Sequence, residues 1–137
     1  MQAPKTNGQA KRFLFYHLPA LVYAGAIIAV SSIPNLNAPE IRFLLFDKVA
    51  HIVEYGLFTL LVFRSFSHFG PRMTGRRPLL FTVLFLSLFA CLDEFYQRFI
   101  PGRHSELADL AVDFLGIVSA LVLVRLRSHF RRPVRQQ

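Results

Sequence analysis

The stretch DKVAHIVEYGLF, residues 47–58, places Asp47, Lys48, His51 and Glu54 at the head of a run that is otherwise soluble in lipid. Ionisable side chains inside a membrane span are costly and mark functional sites by default. The fold therefore hangs on whether such apolar runs cross a bilayer, and the function on whether their charged residues share a face. The whole chain leans the same way: 137 residues, 53% hydrophobic, fifteen Phe and no Trp, with a mean hydropathy of +0.40. That balance departs from an average soluble domain. The net charge of +8 could suggest nucleic acid, but the basic residues flank apolar runs and do not interleave with aromatics along a groove, so no nucleic-acid partner is expected. Cys91 is the single cysteine, and no internal disulfide can form.

Crossing a bilayer core takes about 20 helical residues, and four runs have that length: Phe13 to Ile33, Asp47 to Phe69, Pro78 to Phe99 and Leu107 to Leu126. The connectors SSIPNLNAPE, FGPRMTGRRP and IPGRHSE hold the Pro, Gly, Asn and Ser clusters that end helices and make turns. The first run resembles a secretory signal in part, with Lys5, Lys11 and Arg12 before it and Ala24-Gly25-Ala26 as a loose cleavage site. Its apolarity continues past that point, which favours a retained span. The expectation is an all-α integral membrane protein of four transmembrane helices: a basic N-terminal segment (1–12), a four-helix membrane domain (13–126) and a basic tail (127–137).

Orientation follows from Lys and Arg. Twelve of the sixteen fall in the N-terminus, the second connector and the C-terminus, which share one side of a four-span chain. Both termini are therefore expected in the cytoplasm. All eight acids (Glu40, Asp47, Glu54, Asp93, Glu94, Glu106, Asp109 and Asp113) fall in or near the other two connectors and the helix ends that meet them. The positive-inside rule ignores acids, so their clustering needs another cause.

Helical periodicity supplies one. Asp47, His51 and Glu54 occupy one face of the second span, bordered by Lys48 and Tyr55. Asp93 and Gln97 lie at i, i+4 on the third, with Glu94 and Arg98 beside them. Ser105, Asp109 and Asp113 repeat at i, i+4, i+8 on the fourth, and Gly116 and Ala120 continue that face with small residues suited to close helix approach. Three polar stripes at one end of the bundle should face each other rather than lipid, lining an outward-opening pocket.

DKVAHIVEYGLF followed by LDEFYQRFIPGRHSELADLAVDFLG closely resembles the VanZ-like family of small membrane proteins, over roughly Asp47 to Gly116. The family pattern joins an Asp-Lys-x-x-His stretch, an Asp-Glu-x-x-Gln stretch, a Pro and Arg turn, and an Asp-x-x-x-Asn-x-x-Gly helix. Matching positions are Asp47, Lys48, His51, Tyr55, Asp93, Glu94, Gln97, Pro101, Arg103, Ser105, Asp109 and Gly116. Asp113 departs from it, standing where the pattern has Asn. The resemblance implies a bacterial inner-membrane protein with a cell-envelope role, in a family whose name-giving member is associated with teicoplanin resistance.

Three readings of the polar cluster compete. In the leading one, Lys48, Arg98 and Arg103 hold an anionic envelope ligand, a lipid-linked precursor or glycopeptide-related molecule, within a lining of Asp47, Tyr55, Gln97, Ser105, Asp109 and Asp113. In the second, His51 with Glu54, Asp93 or Glu94 performs acid–base catalysis as a membrane-embedded hydrolase or transferase. A divalent metal held by His51 and the acids Glu54, Asp93, Glu94, Asp109 or Asp113 is compatible with either. In the third, the groups form a salt-bridged plug that pins helix ends together. His17, His68, His104 and His129 are read as interfacial or loop residues, the Phe faces as lipid contact and packing, and Tyr16, Tyr23 and Tyr96 as interfacial anchors. Arg131, Arg132 and Arg135 are expected against anionic headgroups, membrane lipids being the one general partner.

Overall fold

A computed structural model describes residues 6–35, 41–103 and 106–130. Five helices follow in chain order: α1 (Thr6–Tyr16), α2 (Leu18–Ser31), α3 (Ile41–Ser67), α4 (Arg77–Gln97) and α5 (Leu107–Phe130). Together α1 and α2 make one membrane-length segment, Gly8–Ser31; the other three spans are Phe46–Ser67, Arg77–Gln97 and Leu107–Ser128. The protein is thus an all-α, multi-pass membrane protein with four spans. Leu, Phe and Val side chains such as Leu21, Val53, Leu84 and Leu123 stay exposed on its flanks, as a bilayer demands.

The first span is broken at His17, and Pro19 explains why. A proline has no N–H to donate to the carbonyl four residues back, and its ring crowds that carbonyl. Here the carbonyl is that of Phe15, and it accepts a hydrogen bond from Arg64 Nη2 at 2.8 Å instead. The same guanidinium sits 4.1 Å from the centroid of the Phe15 ring. His17 Nδ1 pairs with Ser65 Oγ at 2.8 Å, and Tyr16 stacks on His68 with centroids 3.7 Å apart. His17 and His68, read from sequence as interfacial or loop residues, therefore join the broken span to the end of α3. The helix also begins at Thr6, inside the stretch assigned to the basic N-terminal segment. Arg64→Ala should destabilise the protein by about 1.5–3 kcal/mol, the usual worth of a charge-assisted bond. Because Pro19→Ala gives the Phe15 carbonyl a local donor, the loss should be smaller in that background, which a double-mutant thermal-unfolding cycle would read.

At the opposite end, the connectors after α2 and after α4 meet. Ile100 to Arg103 form a turn closed by Arg103 N–H to the Ile100 carbonyl at 3.1 Å. Pro101 and Gly102 are its middle residues, and Gly102 has φ +73°, the left-handed value the third position of a type II turn requires. The Asn35 N–H then donates to the Pro101 carbonyl at 3.1 Å, and Arg103 Nη2 donates to the Val30 carbonyl at 2.8 Å.

With alternating crossings, α3 and α5 run parallel and α4 runs antiparallel to both. The tightest approach is between α3 and α5. A Cβ placed on Gly116 would lie 2.5 Å from the Ile52 carbonyl oxygen and 3.2 Å from the Gly56 nitrogen, so only glycine fits. The core below contains Tyr55, Phe58, Leu86, Ala90 and Ile117, with Phe58 and Phe89 edge to face at 5.1 Å.

Candidate functional site

The parallel register of α3 and α5 builds the polar end. Lys48 meets Asp109, 61 residues on, and His51 meets Asp113, 62 residues on. Next to His51 and one turn beyond it on α3, Ile52 and Gly56 rest against Gly116, so the glycine contact sets how closely the charged residues approach. This is the link from sequence to site: a missing side chain brings two polar faces together.

Three hydrogen-bonded groups result. At the mouth, Lys48 Nζ bridges Asp109 and Glu106, the latter at 3.2 Å. Deeper, the Nδ1–H of His51 donates to Asp113 Oδ1 at 2.8 Å, and Asp113 is almost wholly buried. Beside them, Ser31 Oγ donates to Asp93 Oδ2 at 3.0 Å, and Gln97 Nε2 donates to the same oxygen at 3.2 Å and to Ser31 Oγ at 3.3 Å. Asp47, His51 and Asp109 also present donor atoms that all lie within 4.8 Å of one another.

Two buried polar atoms, the Tyr55 hydroxyl and Asp93 Oδ1, have no hydrogen-bond partner among the described residues. Leaving such a group unsatisfied costs about 1–3 kcal/mol, so they point to water or a ligand.

The remaining candidates are placed less centrally. Glu54 is half-buried on α3 and Glu94 is buried on α4. Arg98 is exposed, 6.0 Å from the Phe95 ring centroid, in a cleft with Cys91, Glu94, Glu106 and Leu110. Arg103 caps α2 as described, and Ser105 lies outside the described residues. Ser31 was missed by the sequence reading, which drew the cluster from three spans; with it the first span contributes as well. Its only signal was position, a serine at the same membrane end as the acids. Tyr96, read as an interfacial anchor, is partly exposed and its hydroxyl lies 3.0 Å from Ser32 Oγ. A separate apolar cavity of about 380 Å³ opens at the other end, lined by His17, Ala24, Phe58, Val62, Ser65 and Phe85 among others.

Four apolar spans that gather acids, a histidine and a half-buried lysine at one end define a class: a small multi-pass membrane protein with a polar cluster at one end of its bundle. The family profile described as VanZ/LLP1 matches residues 2–128. The chain belongs to the VanZ/LLP1 family, and the match extends well beyond the segment that carried the resemblance. No curated protein and no solved structure matches it.

Proposed function

We propose that the protein recognises an anionic cell-envelope ligand, of the lipid-linked precursor or glycopeptide-related class, at the polar end of its bundle, in the bacterial inner membrane. Both termini lie in the cytoplasm on this reading, which puts the His51 end on the outer face, and glycopeptide resistance is the associated role. The observation that carries it is the convergence of polar side chains from all four spans on one end, with Lys48 half-buried at the mouth. A purely structural plug would be expected to satisfy its own buried groups; here Tyr55 and Asp93 keep unpartnered atoms among the described residues.

A second reading, a membrane-embedded hydrolase or transferase, is favoured by one feature, the His51–Asp113 couple at 2.8 Å. A carboxylate that holds Nδ1 leaves Nε2 to exchange a proton with a substrate.

Native mass spectrometry of protein extracted with its own lipids, in the presence of chelator, tests the first reading. Wild type should carry an anionic lipid adduct that Lys48→Ala depletes about ten- to a hundredfold, the worth of one charge-assisted hydrogen bond. A cysteine replacing Pro101, in a Cys91→Ser background, should react with an impermeant reagent from outside intact cells. Absence of a specific adduct, or labelling from the cytoplasm alone, would sink the reading. An adduct that persists in His51→Ala without being turned over would favour the enzyme.

A further inference from the structure

We infer that Asp47, His51 and Asp109 form a binding site for a divalent transition-metal ion of the zinc class, whose open positions face the anionic ligand. The ion's role toward that ligand rests on the proposed function; its binding does not. The proposal begins with spacing. Three donors bound at about 2.1 Å to one tetrahedral ion stand about 3.4 Å apart. The donor atoms here, one from each side chain, all lie within 4.8 Å of one another, so an approach of about 1.4 Å or less closes the gap.

The supports for those side chains are already in place. Asp47 and His51 are one helical turn apart on α3, and Asp109 comes from α5, which Gly116 holds against α3 at backbone contact. Asp113 accepts from His51 Nδ1 at 2.8 Å, and with Nδ1 so held Nε2 is the nitrogen that remains for a metal. Carboxylate–histidine pairs of this kind orient metal-bound imidazoles. One turn beyond His51, Tyr55 is fully buried, and among the described residues its hydroxyl and one oxygen of Asp93 have no hydrogen-bond partner.

Charge argues in the same direction. The described residues at this end include the carboxylates of Asp47, Glu54, Asp93, Glu94, Glu106, Asp109 and Asp113, against the fixed cations Lys48, Arg98 and Arg103. Buried charge is stable only when paired or metal-bound. A divalent ion offsets the carboxylates and adds a second positive centre beside Lys48. Lys48 is its competitor, since Nζ is bonded to Asp109. Glu106, 3.2 Å from the same nitrogen, lets Lys48 leave Asp109 without losing every partner.

The test is a calorimetric titration of chelator-stripped full-length protein in detergent with Zn²⁺, without phosphate, and with Co²⁺ absorption reporting coordination. About one ion per chain is expected. Asp47→Asn and His51→Gln should each weaken binding at least tenfold, and Asp113→Asn by about ten- to a hundredfold. Lys48→Gln should tighten it, a change that a merely structural cluster would not produce. Circular dichroism establishes that each variant is folded. Wild type that binds no Zn²⁺, or Asp47→Asn and His51→Gln proteins that bind as tightly as wild type, would overturn the inference. If the envelope-lipid adduct survives in chelator while Zn²⁺ fails to bind, the metal site alone falls. Zn²⁺ binding without any anionic adduct would leave the metal site standing and remove the proposed function.

Discussion

Gly116→Ala should loosen the α3–α5 pair and lower thermal stability by about 1–3 kcal/mol, the range for overpacking a tight interface. The added methyl meets the Ile52 carbonyl oxygen at 2.5 Å and the Gly56 nitrogen at 3.2 Å. These are backbone atoms, which cannot rotate away as a side chain would, so the upper part of the range is expected. Gly56→Ala is the internal control. Its methyl would find the Gly116 oxygen at 3.8 Å, an ordinary contact, and removing a helical glycine is worth about 0.5–1 kcal/mol in the stabilising direction. Thermal unfolding followed by far-ultraviolet circular dichroism in detergent separates the two. Equal midpoints for both variants would mean that the close approach does not govern the packing of these helices. The same Gly116→Ala change should weaken Zn²⁺ binding, because Asp109 and Asp113 ride on the helix it displaces.

Asp113→Ala should be the most damaging single change in the polar end. Breaking a buried ion pair by removing one partner typically costs about 3–5 kcal/mol. That figure assumes the remaining charge is trapped. The His51 side chain is 12% exposed and an imidazole can give up its proton, so about 1–3 kcal/mol, the cost of an unsatisfied buried donor, is the better expectation. Asp113→Asn keeps an oxygen to accept from His51 Nδ1 and should cost less than about 1 kcal/mol. It is also the residue that the VanZ-like pattern carries at this position. Unfolding midpoints for Asp113→Ala and Asp113→Asn that both match wild type would show that the couple contributes nothing to stability.

These two positions illustrate what could be read early. Gly116 was legible as a small residue continuing a polar face, yet nothing in its spacing named the Ile52 carbonyl as the atom it must accommodate. Asp113 was legible as a ligand candidate, but its pairing with His51, and not with an arginine, depends on the parallel run of α3 and α5. For Arg98 and Arg103 the fold adds contacts that the sequence did not specify. Both looked like anion-binding residues from their place beside the acids. In the fold Arg103 caps the α2 carbonyl of Val30, and Arg98 lies exposed near Phe95. Ser31 entered the cluster unannounced because a serine at a helix end carries no periodic signal.

The sequence by itself determined the class of protein: four membrane-length spans, an all-α fold, and acids gathered at one end of the bundle. It could do so because the bilayer acts on each helix separately, rewarding apolar length and penalising exposed charge residue by residue. Only the tertiary structure decided which polar groups pair, where the first span breaks onto Arg64, and which three donors lie close enough to share an ion. Those outcomes rest on register between helices, and register is set by contacts such as Gly116 on Ile52, between residues that lie far apart in the chain and belong to no single helical period.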